Sequence, residues 1–388
     1  MIVVYFRGYE ARGSAWYRVD LVETTKSEGK KKRRWRAESE KRETIPPAAV
    51  LPVVDFGSSG GWAVIEDDIY VAGGWFRGDD TKRIVNKDVI KHNIHHPDPT
   101  SWEKVFSLKT PRASSFLAAV GRKLAVVAGN STDGRIKGIN DEMVVDDVYD
   151  SKWRKCGEIY DLDNQTSEYL SSDIAHFEHY QPWDANTTVV EGKTQIVFYS
   201  LVQGSMLILD ASTGEIVKEG YPDHHFALRG ERDSLPPGIH GSFIPLSLAA
   251  GSSHAVFHDS TFYYFTYELR LYGYDVHQRR WLLSECLGDK YPQLKPKTVR
   301  TDPDFPLLVG LPNGKLLVLI FRERGVFTMA PLSVRKNDSS LDVKVDVEHI
   351  QYFHPHDTSF YPYQGKAIRL KNTGSGTMGG GVRSAAES

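Results

Sequence analysis

Apolar residues in this chain come in short runs that break at a turn and resume at once. The stretch AVIEDDIYVAGGW, Ala63 to Trp75, is the type: one run breaks at Glu66-Asp67-Asp68, resumes as Ile69-Tyr70-Val71-Ala72, and stops at Gly73-Gly74. β-Branched and aromatic residues around an acidic turn predict a hairpin, and the closing glycines permit backbone angles that other residues avoid.

The hairpin recurs along the chain. Phe116–Val120 and Leu124–Gly129 flank Gly121-Arg122-Lys123; Thr187–Val190 and Gln195–Tyr199 flank Glu191-Gly192-Lys193. His254–Phe257 and Phe262–Phe265 flank His258-Asp259-Ser260, and Leu307–Leu311 and Leu316–Ile320 flank Pro312-Asn313-Gly314. A sixth hairpin is expected from Phe360–Tyr363 and Ala367–Leu370 around Gln364-Gly365. Every turn carries Gly, Asp or Asn, or a Gln-Gly pair, as tight hairpins require.

Behind most hairpins stands a second pair of strands. GEIYDLDNQTSEYL (Gly157–Leu170), MLILDASTGEIV (Met206–Val217) and LYGYDVHQRRWLL (Leu271–Leu283) each run to an aspartate, turn through polar residues, and end in a short strand. SWEKV (Ser101–Val105) reads as the same closing strand after DVIKHNI, and WYRVDL (Trp16–Leu21) with RRWRAE (Arg33–Glu38) as the same outer pair near the N-terminus. Four antiparallel strands repeating at roughly 50 residues or somewhat more predict an all-β fold, a β-propeller.

The pattern resembles the kelch repeat: an apolar hairpin, Gly-Gly, a strand ending near Tyr-Asp, then an aromatic in the last strand. TPRASSFLAAVGRKLAVVAG (Thr110–Gly129) matches it best, including the Pro-Arg that opens a blade. The chain is most similar to the divergent kelch-like proteins of grasses that lack an F-box. Five internal units and the C-terminal hairpin give about six four-stranded kelch-like blades over residues 1–370, with seven as the alternative, closed by pairing Ser359–Leu370 with N-terminal strands, which removes the open edge. Residues 371–388, rich in Gly and Ser, are expected to be a disordered tail.

Composition narrows the function. Formal net charge is −2, from 48 basic and 50 acidic residues, so no global field recruits nucleic acid or a membrane surface. Two cysteines, Cys156 and Cys286, lack CxxC spacing, which argues against a disulfide framework and for a reducing compartment. The apolar start is too short for a signal peptide, and no run approaches the ~20 residues of a membrane helix. A cytoplasmic monomer is the expectation, with the nucleus admitted by the basic run KKKRRWR (Lys30–Arg36).

Candidate chemistry is sparse. Histidines gather as His92, His95 and His96, as His176 and His179, as His224 and His225, and as His354 and His356, but on separate segments; surface loops are the simpler reading than a zinc site with three or four convergent ligands. No GxSxG, P-loop or HExxH occurs, so no catalytic residue, cofactor or metal is assigned. The kelch resemblance implies that Arg112, just before a first strand, offers its guanidinium fork to carboxylates at the channel mouth. Trp75 and Phe76, after the diglycine, are candidate contacts for an interaction hot spot. The resulting expectation is a non-enzymatic protein–protein interaction module with an unidentified protein partner; the alternatives are a small-molecule enzyme using the channel and a nuclear factor using the basic run.

Overall fold

The structure is a computed structural model that describes residues 2–10, 13–21, 44–52, 60–77, 83–113, 115–129, 155–173, 185–200, 205–220, 255–266, 269–278, 280–295, 306–323, 326–338, 340–357 and 359–369. Among them helix is limited to single turns such as Leu287–Lys290, and no helix is long and apolar enough to cross a membrane.

The chain begins with β1 (Ile2–Glu10), β2 (Gly13–Leu21) and β3 (Ala49–Pro52). The opening hairpin is β4 (Gly61–Ile65) and β5 (Asp68–Ala72); β6 (Trp75–Arg77) and β7 (Arg83–Val85) form a separate ribbon before β8 (Asp88–Asn93) and β9 (Glu103–Ser107). Next come β10 (Phe116–Val120), β11 (Lys123–Val127), β12 (Gly157–Asp161) and β13 (Thr166–Tyr169). They are followed by β14 (Ala185–Val190), β15 (Lys193–Ser200), β16 (Ser205–Asp210) and β17 (Ile216–Gly220). The rest are β18 (Val256–His258), β19 (Thr261–Phe265), β20 (Leu271–Asp275), β21 (Arg280–Ser284), β22 (Leu307–Gly310), β23 (Leu316–Glu323), β24 (Val326–Lys336), β25 (Ser340–Val345), β26 (Gln351–Phe353) and β27 (Tyr361–Arg369).

These strands form a β-propeller arrangement of four-stranded sheets. Four separate blades are present, not six: β27-β1-β2-β3, β4-β5-β8-β9, β10-β11-β12-β13 and β14-β15-β16-β17. The remaining strands make one nine-stranded sheet, β18-β19-β20-β21-β25-β24-β23-β22, with β26 beside β24. Its two runs of four meet where β21 and β25 pair in parallel over two residues, Leu283 with Ser340 and Ser284 with Leu341.

Alternation along each strand explains the stacking. Successive side chains point to opposite faces, so Ile2, Val4 and Phe6 pack with Leu307, Val309, Leu317 and Leu319, while Val3 and Tyr5 pack with Trp62, Val64, Ile69 and Val71. The next faces follow in the same way. Ala63, Ile65 and Tyr70 meet Leu117, Leu124 and Val126; Ala125 and Val127 meet Ile196, Phe198 and Leu207; Val197 and Met206 meet Phe262, Tyr264 and Tyr272. Strands apolar on both faces are what a stack of mutually covering sheets requires.

The termini close the stack, though not with the expected hairpin. Residues 361–369 run as a single strand against β1, from Ile2 opposite Arg369 to Tyr9 opposite Tyr361, with a bulge at Arg7/Gly8. Gln364-Gly365 therefore lies within a strand. β27 takes the first position in its blade and β1 the second. The outer strand of this blade is β3 rather than Arg33–Glu38, which lies outside the described residues with Lys30–Arg36 and 371–388.

Candidate functional site

Topology divides the connections between two faces. In an antiparallel four-stranded blade, the first-to-second and third-to-fourth turns share one end, and the second-to-third and blade-to-blade connections share the other. The first end carries tight turns: residues 66–67, 121–122, 191–192 and 259–260 between first and second strands. Asp259 and Ser260 both take positive φ, the primed geometry of a two-residue hairpin. The other end carries the connections at 73–87, 128–156, 170–184, 221–255 and 285–306. The division is not strict: residues 22–48 are a long connection at the tight-turn end, and short second-to-third connections at 11–12, 201–204, 266–270 and 324–325 stand at the other.

Trp75 and Phe76 belong to the long-connection face. They start β6, where Trp75 pairs with Val85 and Phe76 with Ile84, in a ribbon inserted between the second and third strands of its blade. Gly73 and Gly74 launch that ribbon at φ 67° and 92°. A Cβ on Gly73 would collide with the Arg112 carbonyl oxygen, and the Gly74 N–H donates to that same oxygen at 2.8 Å. The diglycine thus holds the next blade's entry segment by close backbone approach, a task only glycine permits. Gly129, at φ 91°, comes equally close to the Ala113 carbonyl oxygen, on the entry segment of its own blade.

Arg112 corrects the sequence expectation. Its side chain is fully buried, and its guanidinium donates to the carbonyls of Ala128 (3.1 Å), Cys156 (3.4 Å) and Lys155 (2.8 Å). The fork is spent on backbone carbonyls at the β11–β12 connection of its own blade and is not offered to solvent. Glu158, also buried, accepts from the N–H groups of Lys109 and Thr110; burial pushes its carboxyl up, against those two donors and the Arg112 charge. Burial raises the Cys156 thiol to about 12, which makes it a poor thiolate source.

Among the described residues the histidines do not converge. His92 is buried on β8, with its ring nitrogens 2.8 Å from the Ser101 carbonyl and 2.9 Å from that of Ala48, joining two blades rather than sitting on a surface loop. Among the described residues no group of three His, Cys, Asp or Glu could hold a metal. His176, His179, His224 and His225 lie outside those residues.

A polar cluster on β27 escaped sequence reasoning. The first strands line the channel, and β27 carries Gln364 and Lys366 two residues apart, hence on one face. The Trp62 indole N–H donates to Gln364 Oε1 at 2.6 Å. The Lys366 ammonium donates to the carbonyl of Trp62 on β4 and, at 3.0 Å, to that of Leu117 on β10, with the rings of Trp62 and Phe116 each 5.0 Å away. Lys366 keeps some accessible surface yet is ringed by protein, as a side chain in a narrow channel would be. That enclosure, with the nearby Arg7 charge, pulls its pKa down to about 7; the two carbonyls it donates to act against the shift. The signal in the sequence was the polar pair in YQGKAIR, hidden by taking Gln364-Gly365 as a turn.

No family model matches the chain, and no curated protein matches it. Among solved structures it is similar to that of YjhT, at 14% identity and a TM-score of 0.43, over 85% of this chain and 91% of that one. It is also similar to the nidogen/laminin complex, at 9% identity and a TM-score of 0.42, over 95% and 98%. Likeness at that level carries no functional argument.

Proposed function

We propose that the chain is a non-enzymatic protein-interaction module, a kelch-like propeller scaffold or adaptor, that engages a protein partner through its long-connection face. The observation that carries this is the asymmetry of the two ends: the first-to-second turns gather at one, and the two longest connections, 128–156 and 221–255, with the Trp75–Phe76 ribbon, at the other. A rigid stack with variable connections at one end is how binding surfaces are commonly built, and Trp and Phe are residue types that anchor such contacts. The diglycine before Trp75, the Pro111-Arg112 entry and the aspartates ending the third strands are the features that favour a kelch-like relationship.

Val256, Tyr263 and Leu271 share a hydrophobic cluster with Leu308, Leu316 and Val318, although these residues sit in opposite halves of the nine-stranded sheet. The two halves of that sheet therefore pack against each other. A cytoplasmic monomer fits the balanced charge.

The test is affinity capture from native tissue with the full chain, compared with a Trp75→Ala/Phe76→Ala variant and a tight-turn variant, Arg122→Ala. A recurrent protein held by the full chain and by Arg122→Ala, but lost with the aromatic pair, supports the reading. A partner lost equally from both variants, or from neither, rejects this face as the docking surface.

A further inference from the structure

The channel wall is one-sided in its charge. The first strands Gly61–Ile65, Phe116–Val120, Ala185–Val190, Val256–His258, Leu307–Gly310 and Tyr361–Arg369 contain Lys366, Arg369 and His258 but no aspartate or glutamate. Within that wall Lys366 and Gln364 present donors. An ammonium has three N–H groups, and Lys366 uses two, on Trp62 and Leu117. The Gln364 amide is oriented by the Trp62 indole, which takes its oxygen and turns its NH₂ away. Among the described residues that NH₂ group and the third lysine proton have no partner. Arg7, opposite Gln364 in the β1–β27 register and bonded to the Gly60 carbonyl at 2.6 Å, adds a second positive charge on the same blade face.

We propose that Lys366 and Gln364 form a binding site in the channel for a small carboxylate, one oxygen accepting from the ammonium and the other from the amide NH₂. Two donors on one strand face, in a wall whose first strands carry no carboxylate, fit a planar two-oxygen anion and disfavour a cation. Trp62 fixes both partners at once, its carbonyl under the lysine and its indole on the glutamine, so the site is held before a ligand arrives.

The protonation of Lys366 sets the pH dependence. The groups that face it are the Arg7 guanidinium on β1 and the phenol of Tyr5, its partner in the β1–β27 register, which burial holds above its ordinary value and therefore neutral. β4, β10 and β22 contribute no ionisable side chain. The ammonium form is the one that binds an anion, so affinity should be full below about 7 and fall as pH rises through it.

This inference concerns the channel wall and stands apart from the docking face; either can fail alone. The experiment is isothermal titration of the full chain with propionate and succinate at pH 6 and pH 8.5, with propionamide as the uncharged probe, repeated on Gln364→Glu and Lys366→Met. Expected are carboxylate binding at pH 6 with Kd below ~10 mM, weaker binding at pH 8.5, none of propionamide, and a loss of about tenfold or more in each variant. Gln364→Glu keeps an oxygen for the Trp62 indole, so it reports on the site even if Lys366→Met fails to fold. Absence of carboxylate binding to the full chain, equal binding of propionamide, or unchanged affinity in Gln364→Glu would overturn the site.

Discussion

Asp161, Asp210 and Asp275 each hold a turn with one carboxylate oxygen. Oδ1 of Asp161 accepts from the N–H groups of Asp163 and Asn164, that of Asp210 from Ser212 and Thr213, and that of Asp275 from His277 and Gln278. Hydrogen bonding from the Asn164 backbone leads the effects that hold the Asp161 carboxyl down to about 2, against 3.8 for a free one. A lowered folded-state pKa means the stabilising contribution is complete above 3.8 and is lost as pH falls through about 2. Asp161→Asn should therefore flatten the loss of stability over that interval, as read by thermal melts from pH 5 downward; an unchanged acid limb would deny the turn its role. Lys366 runs the other way. Its pKa falls from 10.5 in the free side chain to about 7, so the unfolded chain binds the extra proton between those values and stability should rise with pH across them. Arg112→Ala takes the donor from the carbonyls of Ala128 and Lys155, while that of Cys156 still accepts from the Ala128 N–H at 2.7 Å, and should cost about 3 kcal/mol in denaturant melts; a cost near zero would mean the guanidinium is not buried on these carbonyls. The three aspartates were legible in sequence because the same residue ends the same strand three times. Arg112 was misread because Pro-Arg marks a blade entry without telling which way the side chain turns.

At the scale of elements, hairpins were the most legible features, since tight turns and apolar runs are both local. Five of them stand where the pattern put them, from Gly61–Ala72 to Leu307–Glu323. The sixth failed because Gln364-Gly365 has turn chemistry inside a strand; only the long-range partner, β1, decides that it stays extended. A bulge at Arg7/Gly8 absorbs the irregularity. The diglycine joins two elements, and its first member can be tested. Gly73→Ala places a methyl against the Arg112 carbonyl at φ 67° and should destabilise by about 1–3 kcal/mol, whereas Gly121→Ala, at φ 60° but with nothing within 4 Å, should cost less. Equal losses in chemical denaturation would show that backbone angle alone, not the contact with the next blade, sets the penalty.

For the molecule as a whole, the stacking of sheets through alternate residues was foreseeable from the repeats, but the blade count was not, because β21 and β25 touch edge to edge and merge two runs of four strands. Closure was legible in outline. β27 carries apolar, aromatic and polar residues to the first position of a blade otherwise built from the N-terminus, and it packs on β22 as well as on β1: Gly365 approaches Val309 so closely that a Cβ there would collide. Removing β27 would strip the edge of β1 and uncover Val309, Phe6 and their neighbours, which form one cluster. The direct measurement is a thermal melt of three chains side by side: residues 1–388, 1–372 and 1–358. A ring held shut by its two ends predicts that 1–372 melts with the full chain while 1–358 is insoluble or melts far lower. Equal melting temperatures for all three would contradict closure by β27.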